Sequence, residues 1–327
     1  MPEGNARPDQ QADREAPVDV PASVLIVGSA SADLTTFSER LPRPGETVRG
    51  DDFTLVLGGK GANQAVAVGR AGAPARMVGC IGSDLFADMV SDALGAAGVD
   101  LTFVRRVPGP TGIAHIRVDG SGENDIVIVP LANSALSEEQ IDAAFDGGAP
   151  ASVLLTQLEI PLPLARYALR RARDAGMTTV LDPAPAAELP DDVWPLLDIV
   201  TPNESEATVI TGIPVRDAES ATAAGRWFLD RGVGSALITL AGAGAVLVDA
   251  EGSRSFPVFP VVPVDTTAAG DAFAGYLGAA LALGSPLGDA VTVAMAAGAL
   301  AVTRRGASPS IPMRAEVDAL LARHSAR

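Results

Sequence analysis

Short apolar segments alternate with longer amphipathic segments along most of this chain, and that alternation constrains the fold more than any other feature. The apolar segments at 24–28, 76–80, 153–156 and 178–181 have the length and content of buried strands. Helical patterns come between them, for example at 161–175. Alternating strands and helices predict an α/β protein of three layers, with a mostly parallel sheet and helices on both faces.

Two segments interrupt this alternation and predict a small additional sheet. Residues 46–57 and 112–129 alternate polar and apolar side chains, and Asp-Gly at 119–120 is typical of a hairpin turn. We expect a lid over the carboxyl edge of the main sheet, where such proteins bind ligands. Residues 1–21 contain no aromatic side chain, which predicts a disordered tail before one domain at 22–327.

Composition and charge exclude several classes of function. The 327 residues are 47% apolar, enough for a sizeable core, and their net charge of −16 argues against nucleic-acid binding. One cysteine, Cys80, excludes an internal disulfide, and two histidines make a His-rich zinc site hard to build. The apolar stretch at 290–302 is too short for a membrane span, and residues 1–10 lack the apolar core of a signal peptide. We therefore expect a cytoplasmic protein that contacts no membrane.

The only lysine of the chain, Lys60, lies in a glycine-rich segment. Arginine supplies the rest of the 24 basic residues, and the segment GGKGANQA spans 58–65. Its glycines allow a ligand to approach the backbone, and Lys60 and Asn63 supply donors that suit a hydroxylated ligand. Glycines for the turn at a helix start are the alternative. The segment is not a GxxxxGK[ST] loop, and GSASAD at 28–33 is not the dinucleotide fingerprint GxGxxG.

Residues 265–271, DTTAAGD, precede an apolar helix and predict an anion site. The N–H groups of Ala268, Ala269 and Gly270 lie at the helix N-terminus, where free donors and the helix dipole favour an anion. Asp271 in the first turn is placed to accept a proton from a hydroxyl that attacks phosphorus. Taken alone, the segment also fits an ordinary helix start.

More polar residues follow predicted strands at the same edge. Asp33, in a short loop, and Glu159 can each accept hydrogen bonds from sugar hydroxyls, or serve only in loop turns. Asn203 and Glu206 in PNESE fit a hydrated Mg²⁺, or simply complement a helix dipole. The small residues of TLAGAG at 239–244 fit a purine, a phosphate or a tight turn.

The segments GGKGANQA, TQLE, PNESE, TLAGAG, DTTAAGD and AVTRRGASPSIP occur in that order between about residues 23 and 323. Together they resemble the ribokinase family of carbohydrate kinases, of the phosphofructokinase-B type, with GGKGAN and AAGD as the specific signatures. The resemblance implies transfer of the ATP γ-phosphoryl group to a primary hydroxyl of a small sugar, with D-ribose, giving D-ribose 5-phosphate, as the expected substrate. A kinase of another sugar or a nucleoside, or a non-catalytic sugar-binding regulator, is the alternative.

The resemblance assigns roles to matching positions. Asp271 is the expected catalytic base, and the amides of Ala268, Ala269 and Gly270 the expected anion hole. The expected sugar ligands are Ser31, Asp33, Gly59, Lys60, Asn63, Glu159 and Asp271. The expected nucleotide contacts are Asn203, Thr239, Gly242, Gly244, Gly270 and Ala294.

Two metal ions and a partner are also implied by the resemblance. Asn203 and Glu206 would organise Mg²⁺ through water. A monovalent cation, K⁺, would lie beside the anion hole, mostly on backbone oxygens, and Arg304 would contribute its carbonyl. The matching positions are Asp265, Thr267, Ala301, Arg304, Gly306 and Ser310. The lid would close over the sugar and pair two copies into a homodimer.

Four positions depart from the family pattern. Ser31 stands where Asn is usual, and the shorter side chain loses one sugar contact or makes it through water, which bears on the identity of the sugar. Ala241 replaces a common glycine in the nucleotide loop, and Ala294 stands where a polar residue occurs near the adenine. Asp182 stands where Asn is frequent, and its role is open.

Overall fold

The computed structural model describes residues 22–121 and 123–325, so the tail predicted at 1–21 lies outside the described residues. The strands in chain order are β1 (Val24–Val27), β2 (Ser31–Phe37), β3 (Asp52–Gly58), β4 (Ala75–Ile81), β5 (Val99–Arg106), β6 (Gly112–Val118), β7 (Asn124–Val129), β8 (Val153–Thr156), β9 (Thr178–Leu181), β10 (Ile199–Val200), β11 (Ser235–Thr239), β12 (Ala245–Asp249) and β13 (Gly252–Phe256). The helices are α1 (Lys60–Arg70), α2 (Leu85–Ala96), α3 (Glu138–Gly147), α4 (Leu162–Asp174), α5 (Glu204–Thr211), α6 (Ala218–Leu229), α7 (Ala269–Ala282), α8 (Leu287–Ala301) and α9 (Arg314–Ser325).

Nine strands form the main sheet in the order β13-β12-β11-β10-β9-β8-β1-β4-β5. Neighbours from β11 to β5 are parallel, and the hairpin of β12 and β13 adds an antiparallel edge. Alternate residues of β1 face opposite cores: Val24 and Ile26 pack with α1, α7 and α8, whereas Leu25 and Val27 pack with α3 and α4. The predicted three-layer α/β/α fold with a mostly parallel sheet is therefore confirmed.

A separate sheet of four strands, here called the lid sheet, has the order β3-β2-β6-β7. Its β6–β7 hairpin lies within the segment predicted at 112–129. Its other half differs from the prediction, because residues 46–49 form no strand and β2 at Ser31–Phe37 pairs with both β3 and β6. A turn replaces the expected strand, since Gly45 has a φ of +81° and Glu46 accepts a hydrogen bond from the backbone N–H of Arg43.

The register of the lid sheet separates an inner face from an outer face. Asp33 pairs with Val56, and Ile116 pairs with Ile126, and all four line cavities beneath the lid sheet. The next residues along each strand point away, and the exposed apolar side chains of the outer face include Phe53, Leu55 and Val127. Among the helices in the described part of the chain, none combines the length and the hydropathy needed to cross a bilayer.

Candidate active site

A cavity of about 210 Å³ lies between the carboxyl edge of the main sheet and the inner face of the lid sheet. The polar or glycine positions that line it are Ser29, Ser31, Asp33, Gly59, Lys60, Asn63, Asn133, Glu159, Thr267 and Asp271. All seven positions predicted to hold a sugar are in this set. Those seven come from β2, from the start of α1, from the segment after β8 and from the start of α7.

The start of α1 requires glycine because the segment after β1 passes very close to it. Gly59 has a φ of +84°, and a Cβ at Gly61 would lie 2.6 Å from the backbone nitrogen of Ser29. The N–H of Lys60 donates to Glu159 at 2.9 Å, and Ser29 Oγ donates to the same carboxylate oxygen at 2.6 Å. These contacts fix Glu159 at the wall of the cavity.

Asp271 is the carboxylate at the N-terminus of α7, and it is only 4% exposed. Asn63 Nδ2 donates to one of its oxygens at 2.9 Å, and Gln64 Nε2 lies 3.4 Å from the other. Ala268 is the N-cap residue with a φ of +58°, and the N–H of Ala269 makes a long turn bond of 3.3 Å to Thr266. The predicted anion hole and base are thus adjacent at one helix end.

Lys60 places its charge between two buried carboxyl groups. Its Nζ lies 4.0 Å from an oxygen of Asp182 and 4.0 Å from an oxygen of Asp271. Burial lowers the pKa of Lys60, but the negative charges of Asp271, Asp182, Glu159 and Glu206 outweigh burial and raise it above the usual value. The ammonium therefore stays protonated throughout the neutral range.

Asp33 lies inside β2 and not in a loop, so the predicted location was wrong. The carboxyl is 7% exposed and accepts a hydrogen bond of 3.0 Å from Ser31 Oγ. Burial raises the pKa of Asp33 to about 7, the bond from Ser31 opposes the rise, and the charges of Glu159 and Asp271 add to it. Among the carboxyl groups that line the cavity, Asp33 is the one that belongs to the lid sheet.

The predicted nucleotide residues meet where β10 and β11 end. Asn203 caps α5 and exchanges hydrogen bonds of 2.9 Å with Glu206, and Asn203 also forms a β-bridge with Thr239. In the turn after β11, Gly244 has a φ of +100°, and a Cβ there would lie 2.1 Å from the carbonyl oxygen of Phe256. The same turn includes Gly242, and Ala241 adopts a φ of +42°, a region that favours glycine.

Gly270 at the start of α7 and Ala294 on α8 are not part of this group. Ala294 is fully buried, within the core that α8 shares with α7. Its predicted contact with the nucleotide remains a prediction.

Three of the residues predicted for the monovalent cation are joined by hydrogen bonds. Asp265 accepts bonds from the backbone N–H of Thr267 and of Gly306, both at 2.9 Å. Burial acts to raise the pKa of Asp265, but the bond of 2.6 Å from the Thr267 hydroxyl, the two backbone bonds and the charge of Arg305 outweigh burial and hold the pKa below the usual value. Asp265 is therefore an ionised carboxylate beside the start of α7.

The remaining residues of that predicted site are the last residue of α8 and two residues on the segment after it. The carbonyl of Ala301 accepts a bond of 3.2 Å from the N–H of Arg304, and Ser310 Oγ donates to Ala307 at 2.8 Å. The guanidinium of Arg304 pairs with Glu316. The contact of the Arg304 carbonyl with a cation stays a prediction.

Several buried residues at the site were not predicted from the sequence. Gln64 and Gln157 are fully buried, and Gln157 Nε2 donates to Gln64 Oε1 at 2.6 Å. Gln64 Nε2 in turn donates to Asp182 at 2.8 Å. The side-chain amide of Asn133 accepts a hydrogen bond from the N–H of Ala30 and donates one to its carbonyl oxygen, both at 2.9 Å. The positions of Gln64 in GGKGANQA and of Gln157 in TQLE were the available signals.

A family model and a set of known proteins match nearly the whole chain. The model of the pfkB family of carbohydrate kinases matches residues 21–314. The chain is 41% identical over 296 residues to a ribokinase of Haemophilus influenzae, covering 90% of this chain and 96% of that protein. It is 33% identical over 291 residues to a deoxyribokinase of Salmonella typhi, covering 88% and 95% of the two chains.

The chain therefore belongs to the pfkB family of carbohydrate kinases, which makes it a phosphotransferase that acts on a sugar. Among solved structures, it is similar to a ribokinase of Arabidopsis thaliana complexed with ribose and ATP. That similarity has a TM-score of 0.85 at 32% identity and covers 92% of this chain and 99% of the other. A ribokinase of Thermotoga maritima matches with a TM-score of 0.84 at 37% identity, again over 92% and 99%.

Proposed function

We propose that this protein transfers the γ-phosphoryl group of ATP to the primary hydroxyl of D-ribose, giving D-ribose 5-phosphate. The observation that carries the proposal is the position of Asp271, a buried carboxylate at the N-terminus of α7 that lines a cavity of sugar size. The relatives that are ribokinases, at 41% and 36% identity, support ribose as the substrate.

The size of the cavity favours a single small sugar. Its volume of about 210 Å³ corresponds to about seven water molecules at ~30 Å³ each, and it is smaller than sites for drug-sized ligands. A nucleoside would have to extend outward into the larger cleft of about 1010 Å³ that shares Asp33, Ile116 and Thr267 with the cavity. The cavity alone is therefore sufficient for a pentose.

In the proposed reaction, Asp271 accepts the proton of the attacking hydroxyl. Asn63 orients this carboxylate through its hydrogen bond of 2.9 Å, and the same residue has a buried Oδ1 without a partner in the described structure, which suits a sugar hydroxyl. Asp33 and Glu159 accept hydrogen bonds from further hydroxyls of the sugar. Lys60 and the backbone at Gly59 complete the sugar site. The amides of Ala268, Ala269 and Gly270 stabilise the negative charge of the phosphoryl group as it transfers.

The nucleotide residues provide a second, separate group of contacts. We assign ATP to the surface around Asn203, Thr239, Gly242 and Gly244, with Gly270 facing its phosphates. Glu206 uses one carboxylate oxygen in the cap of α5 and keeps the other for the hydration shell of Mg²⁺. Mg²⁺ would neutralise phosphate charge, which matters in a chain of net charge −16.

The oxygen-rich segment around Asp265 fits a monovalent cation. An ionised carboxylate and backbone carbonyls are hard oxygen donors, and Asp265 already links the start of α7 to Gly306. We assign K⁺ to this position, with Thr267, Ala301, Arg304 and Ser310 supplying mainly backbone oxygen. The ion would order the loop that presents the amides before Asp271.

The lid sheet has two proposed roles in this cytoplasmic kinase. Its inner face covers the sugar, because Asp33 on β2 lines the cavity. Its outer face exposes Phe53 by 53% and Val127 by 59%, which is apolar surface suited to a second copy of the same sheet. We therefore propose a homodimer formed through the lid sheets, with residues 22–327 as one kinase domain.

A coupled assay of ADP release over pentoses, hexoses and nucleosides tests the proposed function. We expect kcat/KM to be highest for D-ribose, and mass spectrometry to place the phosphate on the primary hydroxyl. Deoxyribose is the critical comparison because Ser31 is shorter than the usual asparagine and because a deoxyribokinase is among the relatives. A higher kcat/KM for a nucleoside, or sugar binding without ADP release, would establish one of the alternatives.

A further inference from the structure

The proposed base belongs to a buried cluster of charged groups that includes one carboxyl group, Asp182, without a role in the proposed reaction. Asp182 follows β9, is 6% exposed and shares two neighbours with Asp271. One shared neighbour is Gln64, whose Nε2 lies 2.8 Å from Asp182 and 3.4 Å from Asp271. The other is Lys60, whose Nζ lies 4.0 Å from each carboxyl group.

Charge balance within this cluster favours a state in which Asp182 and Asp271 together carry one proton. Two ionised carboxylates and one ammonium would leave a net negative charge in a buried place, and Glu159 and Glu206 add to the negative potential at Asp182. A proton on either carboxyl group makes the trio neutral. Coupled carboxyl groups of this kind commonly separate into one ionised and one protonated member.

The surroundings decide which of the two carboxyl groups holds the proton. Asp271 lies in the first turn of α7, where the helix dipole stabilises negative charge, and it receives the bond of 2.9 Å from Asn63. Asp182 follows a strand and lacks a helix N-terminus. Burial raises the pKa of Asp182 to about 8, Lys60 opposes the rise, and Asp271, Glu206 and Glu159 add to it.

We infer that Asp182 is a positioning residue that carries the proton of this pair at neutral pH and thereby leaves Asp271 free to act as the base. Gln64 links the two carboxyl groups, and Gln157 holds Gln64 through the bond of 2.6 Å to its carbonyl oxygen. Above its pKa, Asp182 would add a second negative charge beside Lys60 and oppose the approach of the ATP phosphates. This inference rests on the proposed function.

The pH dependence of kcat/KM for ATP at saturating sugar tests the inference. In the wild-type protein we expect a fall of about tenfold between pH 7 and pH 9, because the protonated fraction of Asp182 falls by that factor. Lys60 remains charged over this range. Asp182→Asn mimics the protonated acid and should remove the fall. The same fall in a folded Asp182→Asn enzyme, or no turnover at all, would overturn the inference.

A second measurement tests the protonation state without activity. In the full chain labelled with ¹³C at the aspartate carboxyl carbons, Asp33 and Asp182 should both titrate near or above pH 7. Asp33→Asn removes the first signal and should leave the second. If no carboxyl signal then titrates above pH 7, the inference is wrong even if the kinase is active. If the titration is present in a protein without kinase activity, the proposed function fails instead.

Discussion

Asn63 donates a hydrogen bond of 2.9 Å to Asp271, although the two residues are 208 positions apart in the sequence. Asn63 lies in the first turn of α1 and Asp271 lies in the first turn of α7, so the N-termini of two helices meet at the cavity. The proposed sugar ligand and the proposed base are therefore one hydrogen-bonded unit, and substitutions at either should affect turnover.

Asp271→Asn keeps the size of the side chain but removes the ability to take a proton. We expect kcat to fall by about 10²–10⁴, the usual contribution of general-base catalysis. The fold should be retained, because the substituted amide keeps an oxygen that can accept the hydrogen bond from Asn63. Asp289→Asn is the matched control, since Asp289 is an exposed residue in the first turn of α8. Normal turnover of Asp271→Asn would contradict the mechanism.

Asn63→Ala removes the bond to the proposed base and the buried oxygen that we assign to a sugar hydroxyl. A buried polar group that is left without a hydrogen-bond partner costs about 1–3 kcal/mol, so kcat/KM for the sugar should fall by about 5- to 150-fold. The KM for ATP should change by less than about twofold, because the nucleotide residues lie on a separate group of strands. Asn124→Ala, an exposed asparagine on β7, serves as control. A selective loss of ATP affinity would mean that the two pockets are reversed.

Sugar binding should depend on pH through Asp33. The pKa of Asp33 is raised to about 7, and the ionised form is the better acceptor of sugar hydroxyls. Affinity should therefore weaken as the pH falls below about 7, by up to about tenfold for each pH unit, and binding at pH 6.5 should release a proton. Calorimetric titrations in buffers of different ionisation enthalpy measure that release. Proton uptake, or an equal release in Asp33→Asn, would contradict the assignment.

The raised pKa of Asp33 should make the stability of the protein change with pH in the direction opposite to its sugar affinity. Between about pH 4 and pH 7 the folded protein keeps a proton on Asp33 that the unfolded chain has lost. The contribution of Asp33 to the free energy of unfolding of the ligand-free protein should consequently decrease as the pH rises through this range. Denaturant titrations of the wild type and of Asp33→Asn at pH 5 and pH 7.5 compare the two slopes.

Activity should depend on a monovalent cation through Asp265. In potassium chloride, kcat/KM for ATP should exceed its value in tetramethylammonium chloride, because the small ion orders the amides that stabilise the phosphates. Asp265→Asn should raise the concentration of K⁺ that gives half-maximal activity. Asp249→Asn, a substitution at the end of β12, is the control for a general loss of charge. Equal activity in the two salts would rule out the proposed ion.

The outer face of the lid sheet should hold two copies together. Val127→Arg places a charge on that face, where Val127 is 59% exposed, and should convert a dimer to a monomer in sedimentation experiments. Val209→Arg, at a position that is 66% exposed on α5, should leave the oligomeric state unchanged. A wild-type protein that sediments as a monomer would remove this proposal.

The local part of the site was predictable from the sequence because its signals are local. Glycines at 58–61 and the small residues before Asp271 mark two helix starts, and both lie at the cavity. The strand β2 was missed because only three residues separate it from β1 and its buried end is polar. The bridge from Gln64 to Asp182 spans 118 positions, and periodicity carries no information about such pairs.

Asp33 sits on the lid sheet, whereas Lys60, Asn63 and Glu159 belong to the body of the protein. On the proposed assignment, a sugar held by both sets would link the lid sheet to the main sheet, which water in the cavity would not do. The acceptor would then complete the cover over Asp271 before ATP reacts. The location of one carboxylate would in this way limit hydrolysis of ATP by water when the sugar is scarce.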